Sequence, residues 1–508
     1  MSLMGIISAA VAALCIIIWS IRYFQILQLN GYDEAKFFGW LGGKGFAALL
    51  SGILLAAAAI IADLFGLRVL LFMPAAAAAG FFALYKNPSK VKLKATKRIA
   101  RLEMSVFVLT FAAALPVMYC GAEWALYILL AASPAVVAAV NRCLKPLERS
   151  IANSYISRAK AKLERVSPVK IAVTGSYGKT TVKNMLSAML SKRYRVCASP
   201  ESYNPPSGIS ITVNDVLSET DEIFIAEMGA RKTGDIAFLT QMVMPDIAVI
   251  TAVGNQHLET FGSLENVIKA KSELPENLPC GGRAYFNGDS PAAKHIYDCF
   301  GGNKILTGKK GAVRYENVVM SVKGTEFDLV AGKEREHLFT RLAGRHIPAM
   351  ICLAAAVSLS LGISINEIKN AVLSLQPVAH RRQLMYNGND VIIDDSFSSN
   401  EAGFVSAAEV LSQFSYLIKV IITPGVVELG KYQFETNYRL GAVAAKSCDY
   451  LIVIGKNARA LKNGALSAGL SPRCIAEAGS RAEAMEHYKK IAGSKAVLFE
   501  NDLPDNYE

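Results

Sequence analysis

The nine cysteines of this 508-residue chain never form a C-x-x-C pair. Such pairs hold zinc ribbons and redox dithiols, so their absence argues against both kinds of site and fits a reducing compartment. No internal repeat interrupts the chain. No basic residue precedes the first apolar segment, which argues against a cleaved signal peptide. The length leaves room for about three domains.

Hydrophobic residues make up 52% of the chain, with a mean hydropathy of +0.30, and the excess is concentrated before residue 141. A helix needs about 20 apolar residues to cross a bilayer, and several segments are close to the lower limit. We therefore expect about five membrane spans, or four. The predicted spans are Leu3–Ser20, Gly45–Ala62, Leu67–Tyr85, Met104–Tyr119 and Trp124–Val140.

Basic residues are concentrated beside these segments. Residues 86–101 contain seven Lys and Arg and no acidic residue, and Arg142, Lys145 and Arg149 follow the last span. The excess of Lys and Arg in cytoplasmic loops predicts that both stretches face the cytoplasm and that the N-terminus lies outside. Membrane topology thus accounts for the net charge of +12, and nucleic acid is not an expected partner.

Two segments near the membrane have their own patterns. Residues 21–41 mix aromatic residues with glutamines and charges, which predicts a cytoplasmic loop. That loop is either an interfacial aromatic belt or a surface that receives a membrane-borne substrate. Residues 151–166 have the pattern of a basic amphipathic helix, a connector along the membrane surface.

From Lys170 onward, short β-rich runs alternate with helical patterns. This alternation predicts parallel sheets flanked by helices. The predicted strands include Lys170–Val173, Glu222–Ala226, Asp246–Val253, Val391–Asp394, Leu417–Thr423 and Tyr450–Ile454.

The most informative stretch is T-G-S-Y-G-K-T-T, residues 174–181. It follows a predicted strand and precedes a predicted helix, Val182–Leu190. Backbone N–H groups and the positive end of a helix face an anion in such a turn, and Lys179 adds a point charge. Thr180 is placed to hold a phosphate-bound Mg²⁺. The standard P-loop has glycine where Val173 stands, so the pattern is a shorter variant.

Further polar residues follow predicted strands. Glu227 ends one strand, where an acid near a phosphate loop is well placed for Mg²⁺. His257 and Glu259 follow the next, although a lone histidine is more often structural. Lys271 lies two turns into a helix capped by Ser263 and, taken alone, is a surface lysine.

These motifs resemble the Mur ligases of cell-wall peptide synthesis, over about residues 168–508. The C-terminal P-G-V-V-E-L-G, residues 424–430, and E-N-D-L-P-D, residues 500–505, resemble the MurF type, UDP-N-acetylmuramoyl-tripeptide–D-alanyl-D-alanine ligase. Family order and spacing are kept by A-E-M-G-x-x-x-x-G-D-I, H-L-E-x-F-G-S, K-A-K-S-E-L, N-G-D, G-R-H, H-R-R and D-D-S-F.

The resemblance implies a role for each matching residue. Lys179 contacts the β- and γ-phosphates of ATP, Thr180 and Glu227 hold one Mg²⁺, and His257 helps to hold a second. Lys271 matches a lysine that is carbamylated, which turns a cation into a bridging carboxylate. Other implied nucleotide-binding residues are Thr174, Gly175, Ser176, Gly178, Thr181, Asn287 (adenine), Arg345, Arg381 (γ-phosphate) and Asp395.

The implied architecture has four parts. A transmembrane region covers residues 1–145 and an amphipathic connector residues 146–167. A P-loop-type central ATP-binding domain covers residues 168–376, and a Rossmann-like C-terminal domain covers residues 377–508. Closure of the C-terminal domain over ATP is expected.

The sequence departs from the family pattern at three places. Ile347 and Met350 replace two asparagines after G-R-H, which weakens the expected adenine contact. Phe397 and Ser398 replace a tyrosine and an asparagine. Membrane spans stand where a MurF enzyme carries its UDP-sugar-binding domain, so the resemblance says little about the acceptor.

The expected activity is ATP- and Mg²⁺-dependent formation of an amide through an acyl phosphate. The expected partners are ATP, a carboxylate acceptor (soluble or lipid-linked), an amino acid or dipeptide such as D-Ala-D-Ala, and membrane lipid. The alternatives are a poly-glutamate-type synthase, an amidotransferase subunit and a non-catalytic membrane scaffold. The missing zinc ribbon counts against the amidotransferase subunit.

Overall fold

A computed structural model describes residues 3–43, 45–66, 73–78, 92–200, 203–377, 380–397 and 400–501. The chain divides into two compact units, which follow one another in sequence at Asn153 and Ser154.

The first unit is helical. Its buried side chains include Trp19, Tyr23, Phe24 and Phe37, which belong to one hydrophobic cluster. Residues 73–78 are also helical. The helices with defined bounds are α1 (Leu3–Leu29), α2 (Glu34–Gly42), α3 (Phe46–Leu64), α4 (Lys97–Tyr119), α5 (Ala125–Ala131) and α6 (Ser133–Val166), the last of which continues into the second unit.

Among the described residues, three helices are long and apolar enough to cross a membrane, namely α1, α3 and α4. They contain three of the five predicted spans. The predicted span Trp124–Val140 falls on α5 and α6, which bend by 64° and together make a fourth candidate. Most of the predicted span Leu67–Tyr85 lies outside the described residues.

The prediction of a loop at residues 21–41 is wrong. Helix α1 continues to Leu29, and α2 follows after a short turn. Tyr23, Phe24 and Leu27 are fully buried because they occupy one face of α1 at helical spacing. The aromatic residues of this segment therefore include part of the core of the helical unit.

Ion pairs join helices within this unit. Arg101 on α4 donates two hydrogen bonds, of 2.7 and 2.8 Å, to the carboxylate of Glu148 on α6. Glu34 on α2 accepts a hydrogen bond of 2.6 Å from Asn141 and pairs with Lys145, both on α6. These contacts fix how α2 and α4 pack against α6.

The second unit contains two sheets. The larger has nine strands in the order β2-β3-β1-β4-β5-β6-β7-β8-β9. Its strands β1 to β6 pair in parallel, and β7 to β9 form an antiparallel meander. The strands are β1 (Val169–Thr174), β2 (Val196–Ala198), β3 (Ile223–Glu227), β4 (Ile247–Ile250), β5 (Arg283–Asn287), β6 (Lys304–Thr307), β7 (Val313–Ser321), β8 (Gly324–Ala331) and β9 (Glu334–Thr340).

The smaller sheet has six strands in the order β10-β11-β15-β12-β13-β14. Strand β10 is an antiparallel edge strand, and the other neighbours pair in parallel. The strands are β10 (Gln383–Asn387), β11 (Asp390–Asp395), β12 (Ile418–Thr423), β13 (Tyr450–Ile454), β14 (Ile475–Ala478) and β15 (Lys495–Glu500).

Helices flank these sheets, so an α/β architecture is confirmed, and the predicted strands are found with small shifts of their ends. The predicted helix at residues 151–166 is part of α6. The helices of the second unit are α7 (Lys179–Leu190), α8 (Pro206–Ile211), α9 (Asp235–Val243), α10 (Leu258–Phe261), α11 (Leu264–Glu276), α12 (Pro291–Cys299), α13 (Ile347–Ser360), α14 (Ile365–Ser374), α15 (Glu401–Ser412), α16 (Gln433–Ser447), α17 (Ala458–Ser467) and α18 (Arg481–Lys489).

Candidate nucleotide-binding site

The turn between β1 and α7 requires glycine at two positions. Gly175 has φ = 150°, and a Cβ there would lie 2.0 Å from Thr251 Oγ1. Gly178 has φ = 80°, and a Cβ there would lie 2.4 Å from Met350 Cε. Both glycines therefore let the backbone pass closer to its neighbours than any other residue allows.

This glycine turn is bonded along its length to the segment after β4. The N–H groups of Ser176 and Tyr177 both donate to the carbonyl of Ala252, at 2.8 and 3.1 Å. The hydroxyl of Thr251 donates to the carbonyl of Tyr177 at 2.6 Å, and Ser176 Oγ donates to the carbonyl of Gly254 at 3.0 Å. The shape of the turn is thus set by the neighbouring strand.

Lys179 is the first residue of α7, and its side chain is half-buried. Nζ donates to the carbonyls of Gly175 (2.9 Å) and Ser176 (3.2 Å), so the side chain folds back across the turn. Burial lowers the pKa of Lys179, and the nearby carboxylate of Glu227 partly offsets this effect. The N-cap is Gly178, which has no side chain to bond the first turn. A half-buried cation and a helix N-terminus together favour an anion at this place.

Glu227 ends β3 beside this turn and is 1% exposed. One carboxylate oxygen accepts from Thr180 Oγ1 at 2.9 Å, and the other accepts from Asn204 Nδ2 at 3.1 Å. The fully buried Lys183 Nζ lies 3.7 Å from Glu227 and donates to the carbonyl of Ser199 at 2.5 Å. The carboxylate is therefore held in one orientation and compensated by a nearby cation.

Lys271 on α11 is 3% exposed, so it is not a surface lysine. Burial, followed by repulsion from Lys179, lowers its pKa to about 7. A substantial fraction of Lys271 is therefore the neutral amine at neutral pH. A neutral amine is the form that reacts with carbon dioxide to give a carbamate.

His257 precedes α10 and has φ = 53°, a left-handed conformation that is uncommon outside glycine. Its Nδ1 contacts a carboxylate oxygen of Glu428, which belongs to the segment after β12. The N–H of Glu259 donates to the carbonyl of Glu428 at 3.1 Å. The two sheets of the second unit are thus connected directly at this histidine.

A cavity of about 1040 Å³ lies between the residues that follow the two sheets. Thr174, Gly175 and Asn287 are not among its lining residues. Thr174 Oγ1 donates to the carbonyl of Met228 at 2.9 Å, and Asn287 Oδ1 accepts from the N–H of Asp289 at 3.1 Å. The predicted site residues that do line the cavity are Ser176, Gly178, Lys179, Thr180, Thr181, Glu227, His257, Lys271, Arg345, Arg381 and Asp395.

Two of these residues come from the smaller sheet and its flanking segment. Arg381 Nη2 donates to Thr180 Oγ1 at 3.5 Å, and its guanidinium lies 4.5 Å from the centre of the Phe397 ring. Asp395 is buried at the end of β11, 3.3 Å from Arg382 Nε. Burial raises the pKa of Asp395, which Arg382 and Arg381 partly counteract.

The residues that depart from the family pattern also line this cavity. Ile347 and Met350 lie at the start of α13, and the Met350 methyl packs over Gly178. Arg345 pairs with Glu409 at 3.2 Å. Ser398 lies outside the described residues.

Within the described residues, no group of three or more His, Cys, Asp and Glu side chains is arranged to hold a metal ion. The predicted set instead combines the hydroxyl of Thr180, the carboxylate of Glu227, His257 and a modified Lys271. Mg²⁺ prefers few carboxylates, its own waters and substrate phosphates. The buried, hydroxyl-bonded Glu227 and the poorly protonated Lys271, which line the same cavity, fit such an ion.

Residues 173–358 match the family model for the Mur ligase middle domain. They form a Mur ligase middle domain. This domain contains the glycine turn, Glu227, His257 and Lys271, so the resemblance found from the sequence motifs is confirmed over residues 173–358.

Several curated relatives carry the same name. The chain is 30% identical over 297 residues to the UDP-N-acetylmuramoyl-tripeptide–D-alanyl-D-alanine ligase of Escherichia coli strain K12. The match covers 57% of this chain and 65% of that protein. The chain therefore spans just under two thirds of this relative.

Solved structures share the fold. MurF from Acinetobacter baumannii superimposes with a TM-score of 0.64 at 24% identity, covering 69% of this chain and 77% of that one. MurF ligase from Thermotoga maritima, in complex with ADP, superimposes with a TM-score of 0.61 at 23% identity. That match covers 69% of this chain and 80% of the T. maritima chain. The Mur ligase α/β fold is thus common to all three.

Three residues of this candidate site are not identified by the sequence patterns. Asn204 and Lys183 contact Glu227, and Glu428 contacts His257. Lys183 lies one helical turn after Thr180, which is a usable signal. Glu428 belongs to a recognised motif but had no assigned role, and nothing in the sequence marks Asn204.

Proposed function

We propose that this chain is a MurF-like ligase that uses ATP to join a carboxylate to an amine in peptidoglycan or envelope precursor synthesis. The observation that carries the proposal is the convergence of Lys179, Glu227, His257, Lys271 and Arg381 on one cavity. The name of the E. coli relative supports the reaction class, and the ADP complex of the T. maritima enzyme supports the nucleotide.

The residues divide the chemistry between them. A carboxylate acceptor attacks the γ-phosphate of ATP, which releases ADP and gives an acyl phosphate. An amine then attacks the acyl carbon, forms the amide and releases phosphate and a proton. Lys179 and Arg381 neutralise the charge that develops on the transferred phosphoryl group. The N-terminus of α7 binds the remaining phosphates, and Asp395 and Arg345 hold the nucleotide from the other side.

Mg²⁺, when bound, supplies positive charge to the phosphates. Thr180, Glu227, His257 and carbamylated Lys271 are the residues that would hold it. Thr180 and Asn204 fix the carboxylate of Glu227, so that its geometry does not depend on the ion. The lowered pKa of Lys271 supports its carbamylation.

The helical region supports a membrane location. We propose a transmembrane region at residues 1–145 with the N-terminus outside, and a connector at residues 146–167. A central ATP-binding domain (168–376) and a Rossmann-like C-terminal domain (377–508) would lie in the cytoplasm. Because spans stand where the relatives bind a UDP-sugar, the acceptor is proposed to be lipid-linked and to approach along the bilayer.

A substrate panel tests this acceptor. Purified full-length protein is incubated with ATP, D-Ala-D-Ala and either UDP-linked or lipid-linked muropeptide, and products are read by mass shift. We expect the lipid-linked acceptor to gain the mass of the dipeptide. Equal turnover of the soluble acceptor would contradict the lipid-linked proposal and leave the ligase proposal intact.

A non-catalytic membrane scaffold is the rival hypothesis, favoured by Ile347, Met350 and Ser398. Measuring phosphate release from ATP distinguishes the ligase from the non-catalytic scaffold, because only the ligase cleaves ATP. We expect Lys271→Ala to reduce release by about 10²-fold, the effect of losing one preorganised charge at a reaction centre. Lys269→Ala, an exposed position on the same helix, is the matched control. Undiminished release in the Lys271 variant would contradict the proposed site.

A further inference from the structure

The contact between His257 and Glu428 joins the Mur ligase middle domain to the segment after β12. The two residues are 171 positions apart in sequence. Both have a left-handed backbone, with φ = 53° at His257 and 64° at Glu428. Residues other than glycine adopt this conformation infrequently, and such positions are concentrated at functional sites.

The segment that carries Glu428 is held rigidly. The buried amide of Asn437 accepts from the N–H of Val426 and donates to its carbonyl, both at 2.9 Å. Asn457 Nδ2 donates to the carbonyl of Pro424 at 2.9 Å, and the N–H of Leu429 donates to Gln433 at 3.2 Å. Side chains from α16 and from Asn457, just before α17, therefore fix the place where Glu428 projects.

The pairing also fixes the histidine ring. An ionised carboxylate only accepts hydrogen bonds, so Nδ1 of His257 carries the hydrogen in this contact. In a neutral imidazole the remaining lone pair is then on Nε2. Metal-binding histidines usually have this arrangement, with one nitrogen on the metal and the other bonded to a carboxylate.

We propose that Glu428 is a positioning residue for the metal site: it orients His257 so that Nε2 serves the second divalent cation. This inference rests on the proposed function. Because Glu428 follows β12 of the six-stranded sheet, that cation site is complete only when the two sheets are docked through this contact. The N–H of Glu259, bonded to the carbonyl of Glu428, reinforces the docking.

Mn²⁺ binding in the presence of a non-hydrolysable ATP analogue tests the proposal without catalysis. Full-length protein is titrated and the bound ions are counted by electron paramagnetic resonance. We expect two sites in the wild type. Glu428→Ala should weaken one of them about 10- to 100-fold, the usual effect of losing a carboxylate behind a ligating histidine, and leave the other near wild type.

Three further variants define the mechanism. Glu428→Gln keeps an acceptor oxygen and should restore most of the lost affinity. In a His257→Ala background, Glu428→Ala should cause no further loss, because the two residues act as one unit. Glu435→Ala is the control, since Glu435 is exposed on α16 and pairs only with neighbouring Arg439 among the described residues.

Several outcomes would overturn the proposal. They are wild-type Mn²⁺ binding by Glu428→Ala, equal weakening of both sites, and an additive loss with His257→Ala. If Glu428→Ala does not fold, Glu428→Met, which keeps the side-chain length without the acceptor, replaces it. A wild-type protein that binds one ion overturns this inference alone. Failure of the wild type to cleave ATP overturns the proposed function instead.

Discussion

The two sheets of the second unit contribute to the cavity in different ways. The nine-stranded sheet provides groups whose partners belong to the same sheet's segments. Lys179 bonds the carbonyls of its own turn, and Glu227 bonds Thr180 and Asn204. The six-stranded sheet provides groups that contact the other side, since Arg381 reaches Thr180 and Glu428 reaches His257.

This difference separates the groups that bind the nucleotide from the groups that complete the site when the two sheets are docked. The groups on the nine-stranded side are arranged by local contacts, so they would keep their positions if the other side moved away. Arg381 and Glu428 would not remain in the site. We therefore expect loss of a group in the first set to weaken nucleotide binding as well as turnover, and loss of a group in the second set to lower turnover alone.

The largest effect is expected for Lys179→Met. The substitution removes the cation that faces the phosphates, so ATP turnover should fall on the order of 10²- to 10³-fold and the KM for ATP should rise. Steady-state phosphate release measures both. Lys192→Met, an exposed lysine just after α7, is the control. An unchanged KM would contradict the assignment of affinity to the nine-stranded side.

Arg381→Lys should reduce kcat by about 10²-fold and change the KM for ATP little. Lysine lacks the planar guanidinium that both reaches Thr180 and stacks on Phe397, so the charge would be misplaced. The same assay gives both parameters. If KM rises as much as in Lys179→Met, the division between the two sides is wrong.

The smallest effect concerns Lys271 and pH. Its pKa of about 7 lies well below the ordinary value near 10.5, so the unfolded chain binds more protons between these pH values. The contribution of Lys271 to the free energy of unfolding must therefore become more favourable to the folded state as the pH rises from 7 towards 10. We therefore measure melting temperatures in bicarbonate-free buffer with EDTA. Between pH 7 and pH 10, the melting temperature of the wild type should rise by roughly 3–6 °C relative to that of Lys271→Met.

Lys269→Met is the matched variant for this measurement, because Lys269 is exposed on the same helix. Its melting temperature should follow that of the wild type at every pH. A constant difference between wild type and Lys271→Met would show that burial does not lower the pKa of Lys271.

The sequence predicted what depends on local pattern. Strand β1, the glycine turn and α7 are found where predicted, and Glu227 is at a strand end, because hydrophobic runs and glycine spacing report on neighbouring residues. The loop predicted at residues 21–41 was wrong because aromatic residues at helical spacing were interpreted by composition. Periodicity would have extended α1.

Contacts between segments that are distant in sequence could not be predicted from the sequence pattern. Glu428 meets His257 only because two separate sheets pack together, and no spacing rule connects positions 171 residues apart. Lys271 looked like a surface lysine for the same reason: its burial depends on tertiary packing. The resemblance to a family, and not the local pattern, drew attention to it.

The bonds between the glycine turn and residues 251–254 have a consequence for ligand capture. The conformational entropy of ordering this turn is lost when the protein folds, and no further ordering is required when a phosphate arrives. More of the interaction energy therefore remains as affinity. The hydroxyl of Thr251, just after the adjoining strand β4, would thus contribute to anion recognition without touching the anion.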